Sequence, residues 1–304
     1  MNPARRSVGA HFTIDAINGT DNRLLCCNTI VTELFMKTFS LRAITLAATL
    51  WLCFSAIAQQ FDSDAPTYKT SLSNTRNLGM DIQKALKPQY QDKIHLKPVV
   101  IDTDDMPFVK LEEVPEEPKP FPVIVLSAGF IDLINNVAHA KAIDKIEKGY
   151  FPKYILSLAQ ESGEKELKPL PNDTDKRYWT EDMINEQYSN FNSIVGVMVG
   201  IKLANHYLGH YKKYIAQLNV GETKQVPINN LLTPKEWEEA LRLGVRNALD
   251  AGCTIEGVLP FFECFEKMPK RPAWTSFFVP ETAKYKDIRK ALEKIQKDFF
   301  AGKN

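Results

Sequence analysis

Two stretches decide the fold of this chain: LANHYLGH at residues 203–210 and EWEEALRLG at residues 236–244. The first ends a helical pattern of apolar residues that begins after Thr180. Between Ile194 and Ile201 that pattern is apolar on every side, which is typical of a helix that is buried all round. The second stretch starts another helix with an apolar face. Together the two stretches predict a pair of core helices.

Both helices carry local start signals. Thr180 can cap the first helix, and two acidic residues follow it in the first turn, where the helix dipole favours negative charge. Residues 233–236 read Thr-Pro-Lys-Glu, a capping box with proline at the first helical position. Gly196 and Gly200 lack side chains on one face of the first helix and would let another backbone approach closely.

The rest of the sequence predicts a little β-structure followed mainly by helix, so the fold class is α+β and mainly α-helical. Residues 96–102 and 123–126 have the composition of strands. Residues 112–122 are rich in Glu and Pro and predict an extended connector. Further helices are predicted, from apolar residues with a helical period, at residues 77–86, 130–146, 154–160, 255–265 and 285–299.

The amino-terminal region has the pattern of a secretory signal peptide that begins at Met36. A short basic segment precedes an apolar run at residues 43–57, and Ala-Ile-Ala at residues 56–58 fits a cleavage site. The run of about 15 residues is shorter than the roughly 20 that a membrane-spanning helix needs, which favours cleavage over an anchor. We therefore expect residues 1–35 to be an upstream, untranslated segment, and the product to be exported, periplasmic or secreted, after cleavage near Ala58.

Charge and cysteine content argue against nucleic-acid binding and against a disulfide. A formal net charge of +1, without a basic block that contains aromatic residues, argues against nucleic-acid binding. Beyond the signal peptide only Cys253 and Cys264 remain. Ten residues of helix would separate them by about 15 Å, whereas a disulfide needs Cα atoms within about 7 Å. Two buried free thiols are therefore predicted.

The residues 203–210 also contain a histidine pair with metal-binding spacing. His206 and His210 are four residues apart, the spacing that points two imidazoles to one side of a helix in zinc peptidases. Tyr207 stands where such an enzyme needs a glutamate base, and tyrosine, with an ordinary pKa of about 10, is a poor base at neutral pH. An active zinc endopeptidase would need Glu236 or Glu238 as the third ligand.

The carboxy-terminal half resembles the zinc metallopeptidases of the CAAX-prenyl-protease and HtpX type. Residues 125–134 resemble the family's edge strand and following helix. Residues 239–244, and then 251–253 and 261–263, resemble the helix of the third zinc ligand and the segments that follow it. Residues 279–280, Val-Pro, stand where many members have His-Pro. The resemblance implies a zincin-like core with a small β element.

The family's functional positions carry different residues in this chain. In the register that the resemblance favours, Ile201 and Asn205 stand at the two zinc histidines, and Lys202 stands at the catalytic glutamate. Trp237 occupies the third-ligand position and Val279 the position of the later histidine. The resemblance thus implies a degenerate site without zinc, because a cation at Lys202 would repel Zn²⁺.

The resemblance also predicts how the chain divides into an arm and a domain. The resemblance covers about residues 121–295, with a long insertion at about 144–185, so residues 59–120 are predicted as an amino-terminal arm and linker and residues 121–304 as a metallopeptidase-like domain. We expect an exported, non-catalytic protein that binds a peptide or protein in the former active-site groove. Two alternatives stay open: an active zinc-dependent endopeptidase, and a structural domain without a ligand.

Overall fold

The computed structural model describes residues 71–91, 93–94, 99–114, 121–159, 169–215, 227–268 and 271–303. The predicted upstream segment, signal peptide and cleavage site lie outside the described residues. As predicted, the described part is mainly helical with a small β-sheet. None of its helices is both long enough and apolar enough to cross a lipid bilayer.

Nine α-helices and three strands form the described part of the chain. The strands are β1 (Val100–Asp102), β2 (Val109–Val114) and β3 (Phe121–Ser127). The helices are α1 (Ser71–Lys84), α2 (Pro88–Gln91), α3 (Ala128–Ile143), α4 (Tyr150–Ala159), α5 (Glu181–Tyr207), α6 (His210–Ile215), α7 (Pro234–Asp250), α8 (Val258–Lys267) and α9 (Tyr285–Phe300). Short 3-10 helices cover Lys176–Trp179, Ile228–Asn230 and Ala273–Phe277.

Helix α5 is the predicted central helix, and it begins where the sequence indicates. The Thr180 side chain accepts a hydrogen bond from the Met183 backbone N–H, which satisfies one of the unpaired donors at the helix start. The residues from Ile194 to Ile201 are all buried. Helices α3, α7 and α1 pack against α5, so its apolar surface is covered on several sides.

Helix α7 runs antiparallel to α5, and glycines allow the contact. A Cβ atom placed on Gly200 would lie 2.3 Å from the Gly244 carbonyl oxygen, and one on Gly244 would lie 2.4 Å from the Ile201 backbone nitrogen. Gly196 lies against Cys253 further along the pair. The two backbones therefore touch only because these residues lack side chains. The close-approach prediction for Gly196 and Gly200 is confirmed.

The start of α7 is the capping box that the sequence predicts. The Thr233 hydroxyl accepts a hydrogen bond from the Glu236 backbone N–H, and the Glu236 carboxylate accepts one from the Thr233 backbone N–H. Each side chain thus satisfies an otherwise unpaired backbone donor of the first turn. At the other end, Gly252 has a φ of +88°, a conformation that stops the helix at little cost for glycine.

The sheet has the order β1-β3-β2, with β1 parallel and β2 antiparallel to β3. The predicted strand at residues 123–126 is confirmed within β3. The connector predicted for residues 112–122 is wrong at both ends, because Glu112 and Val114 belong to β2, and Phe121 and Pro122 belong to β3. Their backbone groups pair across the sheet, and this pairing outweighs the local Glu and Pro signals.

The sheet order also changes the role of β3. The resemblance assigns residues 125–134 to an edge strand and the helix that follows it, but β3 is the central strand and has a neighbour on each side. The strand-to-helix step itself is present, since Ser127 ends β3 and caps α3 by accepting the Phe130 backbone N–H. Strands β1 and β2 form the two edges of the described sheet.

The arm that was predicted to precede the domain contains a helix that packs on the core. Helix α1 begins at Ser71, six residues before the predicted start at residue 77. Thr75, Gly79 and Ile82 are buried on one of its faces, and the Ser71 hydroxyl donates to the Asn135 side chain of α3 at 3.0 Å.

Cys253 and Cys264 are free thiols, as predicted, although Cys253 is only half-buried.

Candidate functional site

Lys202 is the most unusual side chain of the described core. It is 2% exposed, and its Nζ donates a hydrogen bond of 3.0 Å to the backbone carbonyl of Phe277. Among the described residues it forms no salt bridge. Burial lowers the pKa of this amine from 10.5 to about 7, because the charged form loses its hydration. An amine therefore fills the position that the resemblance gives to a catalytic carboxylate.

Two buried asparagines accompany Lys202. Asn229 donates from Nδ2 to the Ser276 carbonyl at 3.2 Å, next to the carbonyl that Lys202 uses, and its Oδ1 has no hydrogen-bond partner within the described ranges. Asn205 lies one turn after Lys202 on α5, is fully buried, and leaves Nδ2 without a described partner. We call Lys202, Asn205 and Asn229, with the carbonyls of Ser276 and Phe277, the Lys202 cluster.

The histidine pair does not lie on one helix. Helix α5 ends at Tyr207, Gly209 has a φ of +79°, and α6 begins at His210. The sequence predicts one continuous helix here, which is wrong, because its apolar period continues across a backbone conformation that only glycine adopts readily. The i, i+4 geometry that would point His206 and His210 in the same direction is therefore absent.

His210 has a partner inside the protein. It is 7% exposed, and its Nδ1 lies 3.1 Å from the Asn205 Oδ1. Burial lowers the pKa of this imidazole, and the negative charges of Glu236 and Glu239 partly oppose that effect. The hydrogen bond connects His210 to the Lys202 cluster through Asn205.

Two carboxylates, Glu236 and Glu238, were predicted as possible third zinc ligands. Glu236 is hydrogen-bonded within the protein, and Glu238 faces solvent. Glu236 accepts hydrogen bonds of 2.6 Å from both Lys213 Nζ and the Tyr214 hydroxyl, besides its role in the cap of α7. Burial raises its pKa, but these bonds and those from Thr233 outweigh burial and hold the pKa below its usual range. Glu238 is exposed. Across the described ranges, no three His, Cys, Asp or Glu side chains form a group that could hold a metal ion.

The remaining positions that the resemblance singles out are part of the hydrophobic core. Ile201, Trp237 and Val279 are all at most 6% exposed and pack in the main apolar cluster. Trp237 lies on the buried face of α7. The positions at which the resemblance expects metal ligands are therefore occupied by apolar side chains in close packing, with Lys202 and Asn205 as the polar exceptions.

Strand β2 has a side that no described strand pairs with. Ser127 donates its backbone N–H to the Phe108 carbonyl at 3.1 Å, which fixes the hydrogen-bonded pairs of the antiparallel ladder. Because hydrogen-bonded and non-hydrogen-bonded pairs alternate, every second residue of β2 turns its N–H and C=O away from β3. The residues that do so are Val109, Leu111 and Glu113. Val109 and Leu111 are buried, at 0% and 5% exposed, so their outward groups do not face solvent.

Sequence reasoning missed the partners that surround Lys202. Phe277, Asn229 and Ser276 belong to short 3-10 helices whose sequences carry no periodic signal. Only the asparagine, a polar residue between apolar ones at positions 228–231, could have suggested a buried polar role. No protein-family model, no curated protein and no solved structure matches this chain.

Proposed function

We propose that this chain is an exported, metallopeptidase-like protein that does not hydrolyse peptides and instead binds an extended peptide or protein segment. The observation that carries the proposal is Lys202. A buried amine that donates to the Phe277 carbonyl stands where the resemblance requires a carboxylate.

Lys202 is unsuited to zinc-dependent hydrolysis in two ways. The protonated form of Lys202, about half of the molecules at pH 7, has no lone pair to accept a proton from a metal-bound water, as a glutamate at this position would. The charge of that form would also oppose Zn²⁺ a few ångströms away, in a part of the protein where burial weakens dielectric screening. The position of Asn205 adds to this argument, because its Oδ1 already contacts His210.

The binding half of the proposal rests on the resemblance. The cleft of a peptidase-like scaffold that no longer hydrolyses peptides remains a groove that fits an extended peptide. Strand β2 is not that groove, because Val109 and Leu111, whose backbone groups point away from β3, are only 0% and 5% exposed.

The catalytic half is tested by metal content and hydrolysis together. The full chain, purified without chelators, is analysed for zinc and is incubated with an unstructured protein substrate such as casein. We expect no bound zinc and no cleavage, and the same result for the His206→Ala, His210→Ala double variant. About one zinc per chain that is lost in the double variant, together with cleavage, would overturn the proposal in favour of the zinc endopeptidase.

The binding half is tested with a pool of random hexapeptides. The full chain is incubated with the pool, and the retained peptides are measured by mass spectrometry. We expect a subset of the pool to be retained. Retention of no peptide by protein that circular dichroism shows to be folded would overturn the binding half.

A further inference from the structure

Helix α9 has two faces of opposite character. Its core face carries Ile288, Leu292 and Ile295, which are buried, and the helix packs on α7 and α8. At 3.6 residues per turn, four exposed lysines of α9 fall within about 80° of the helix circumference, on the side opposite to this core face. We call these four residues the lysine stripe: Lys286, Lys290, Lys294 and Lys297.

The lysine stripe keeps its positive charge unpaired. None of its four lysines forms a salt bridge with another described residue. Two of the three acids of α9 are paired with other cations, Glu293 with Arg289 at 2.9 Å and Asp298 with Lys303 at 3.9 Å. Asp287 alone remains to offset the stripe from within the helix. The surface of α9 is therefore basic, although the formal net charge of the chain is only +1.

An exposed aromatic ring lies at the carboxyl end of the lysine stripe. Phe300 is 75% exposed, the largest value among the bulky apolar side chains of the described residues, and it follows Lys297 by one helical turn. This end of the helix is held in place, because Gly302 closes it with a φ of +66° and Arg246 of α7 donates to the Lys303 carbonyl at 2.7 Å. The ring therefore stays in solvent on an ordered helix end.

We propose that the lysine stripe and Phe300 bind the surface of a membrane that contains anionic lipids. The four lysines extend over about 16 Å along one side of the helix, so a flat negative surface meets all of them at once. Each lysine near such a surface raises the affinity about fivefold. The Phe300 ring enters the boundary between headgroups and acyl chains, where aromatic rings are favoured.

The docked state needs no change of fold. The core face of α9 stays packed on α7 and α8, and only the side that already faces solvent meets the lipid. A membrane fits this surface better than a nucleic acid does, because the stripe contains neither arginine nor an aromatic residue between its lysines. Membrane binding through α9 is independent of peptide binding.

The test compares two kinds of vesicle, phosphatidylcholine alone and phosphatidylcholine with one third phosphatidylglycerol. The full chain is mixed with each, and the bound protein is measured by flotation. We expect the anionic vesicles to bind more than about a hundredfold tighter, the combined effect of four lysines. That difference should disappear in about 1 M sodium chloride, where the screening length falls to about 3 Å. Equal binding to both kinds of vesicle, or binding to neither, would overturn the proposal.

A matched pair of double variants assigns the binding to the stripe. Lys290→Gln with Lys294→Gln removes two charges from α9, and we expect it to bind the anionic vesicles about 25-fold more weakly. Lys148→Gln with Lys212→Gln removes two charges from exposed lysines outside α9 and should bind within about threefold of the wild type. Circular dichroism checks that both are folded. An equal loss in the two double variants, or a loss in neither, would show that the stripe is not the lipid-binding surface.

The Phe300→Ser variant distinguishes a membrane from other polyanions. We expect it to bind the anionic vesicles about tenfold more weakly, because the ring no longer leaves water. The wild type should bind a short DNA duplex far more weakly than it binds the vesicles. Binding of the duplex as tight as that of the vesicles, with no effect of Phe300→Ser on either, would show a general polyanion surface and overturn the membrane proposal.

Discussion

The stability of this protein should depend on pH through Lys202, and the Lys202→Met substitution isolates the effect. The pKa of Lys202 is about 7 in the folded protein and has an ordinary value of 10.5. Between these values the unfolded chain keeps a proton that the folded chain has lost, so stability rises with pH. Below about pH 7 both states are protonated, and the folded protein bears the full penalty of a buried charge.

The size of this change in stability follows from the pKa shift of Lys202. At about 1.4 kcal/mol per pKa unit, the penalty is about 4 kcal/mol at pH 7 and falls to about 2 kcal/mol at pH 9. Methionine removes this penalty but leaves the Phe277 carbonyl without its donor, at a cost of about 1–3 kcal/mol. Lys202→Met should therefore be more stable than the wild type by about 1–3 kcal/mol at pH 7 and about equal to it at pH 9.

Urea unfolding at pH 7, 8 and 9, followed by circular dichroism, measures this difference. All other groups titrate in both proteins, so subtracting the two curves leaves the contribution of Lys202. Lys212→Met, at an exposed position, is the control and should show a difference that does not vary with pH. If the gap between wild type and Lys202→Met changes by less than about 0.5 kcal/mol from pH 7 to 9, the reasoning on the buried amine is refuted.

Three further predictions concern other parts of the chain. Gly244→Ala should destabilise the fold by about 3 kcal/mol in urea unfolding, since its Cβ would lie 2.4 Å from the Ile201 backbone nitrogen. Thr233→Ala should cost about 1–2 kcal/mol by the same assay, and Thr233→Ser much less, because serine restores the cap. Amino-terminal sequencing of the protein from its source cells should begin at Gln59, and a start at Met1 would contradict the signal peptide.

The parts of the fold that depend on neighbours in sequence could be predicted. The caps at Thr180 and Thr233 act within three residues, and both are confirmed. The strand at residues 123–126 and the last helix, observed as Tyr285–Phe300, are confirmed for the same reason, since composition and period are local properties. The prediction of one helix through Gly209 is wrong, because an apolar period does not report the backbone angle of a single glycine.

The candidate site could be predicted only in part. The resemblance picked out Lys202 and Asn205 as departures from a zinc site, but it could not supply their partners. The carbonyl that receives the Lys202 hydrogen bond is 75 residues away in sequence, and Asn229 comes from a third segment. No local sequence pattern encodes such a contact, because it results from the packing of elements that are distant in the chain.

The sequence by itself determined that this chain is mainly helical and where its two core helices begin. These properties follow from side-chain chemistry and short-range hydrogen bonds. Only the tertiary structure decided that β2 lies at the sheet edge, that His206 and His210 separate onto two helices, and that a lone amine is buried against a backbone carbonyl. Strand order and burial depend on contacts between distant segments, and these contacts set both the place of β2 in the sheet and the pKa of Lys202.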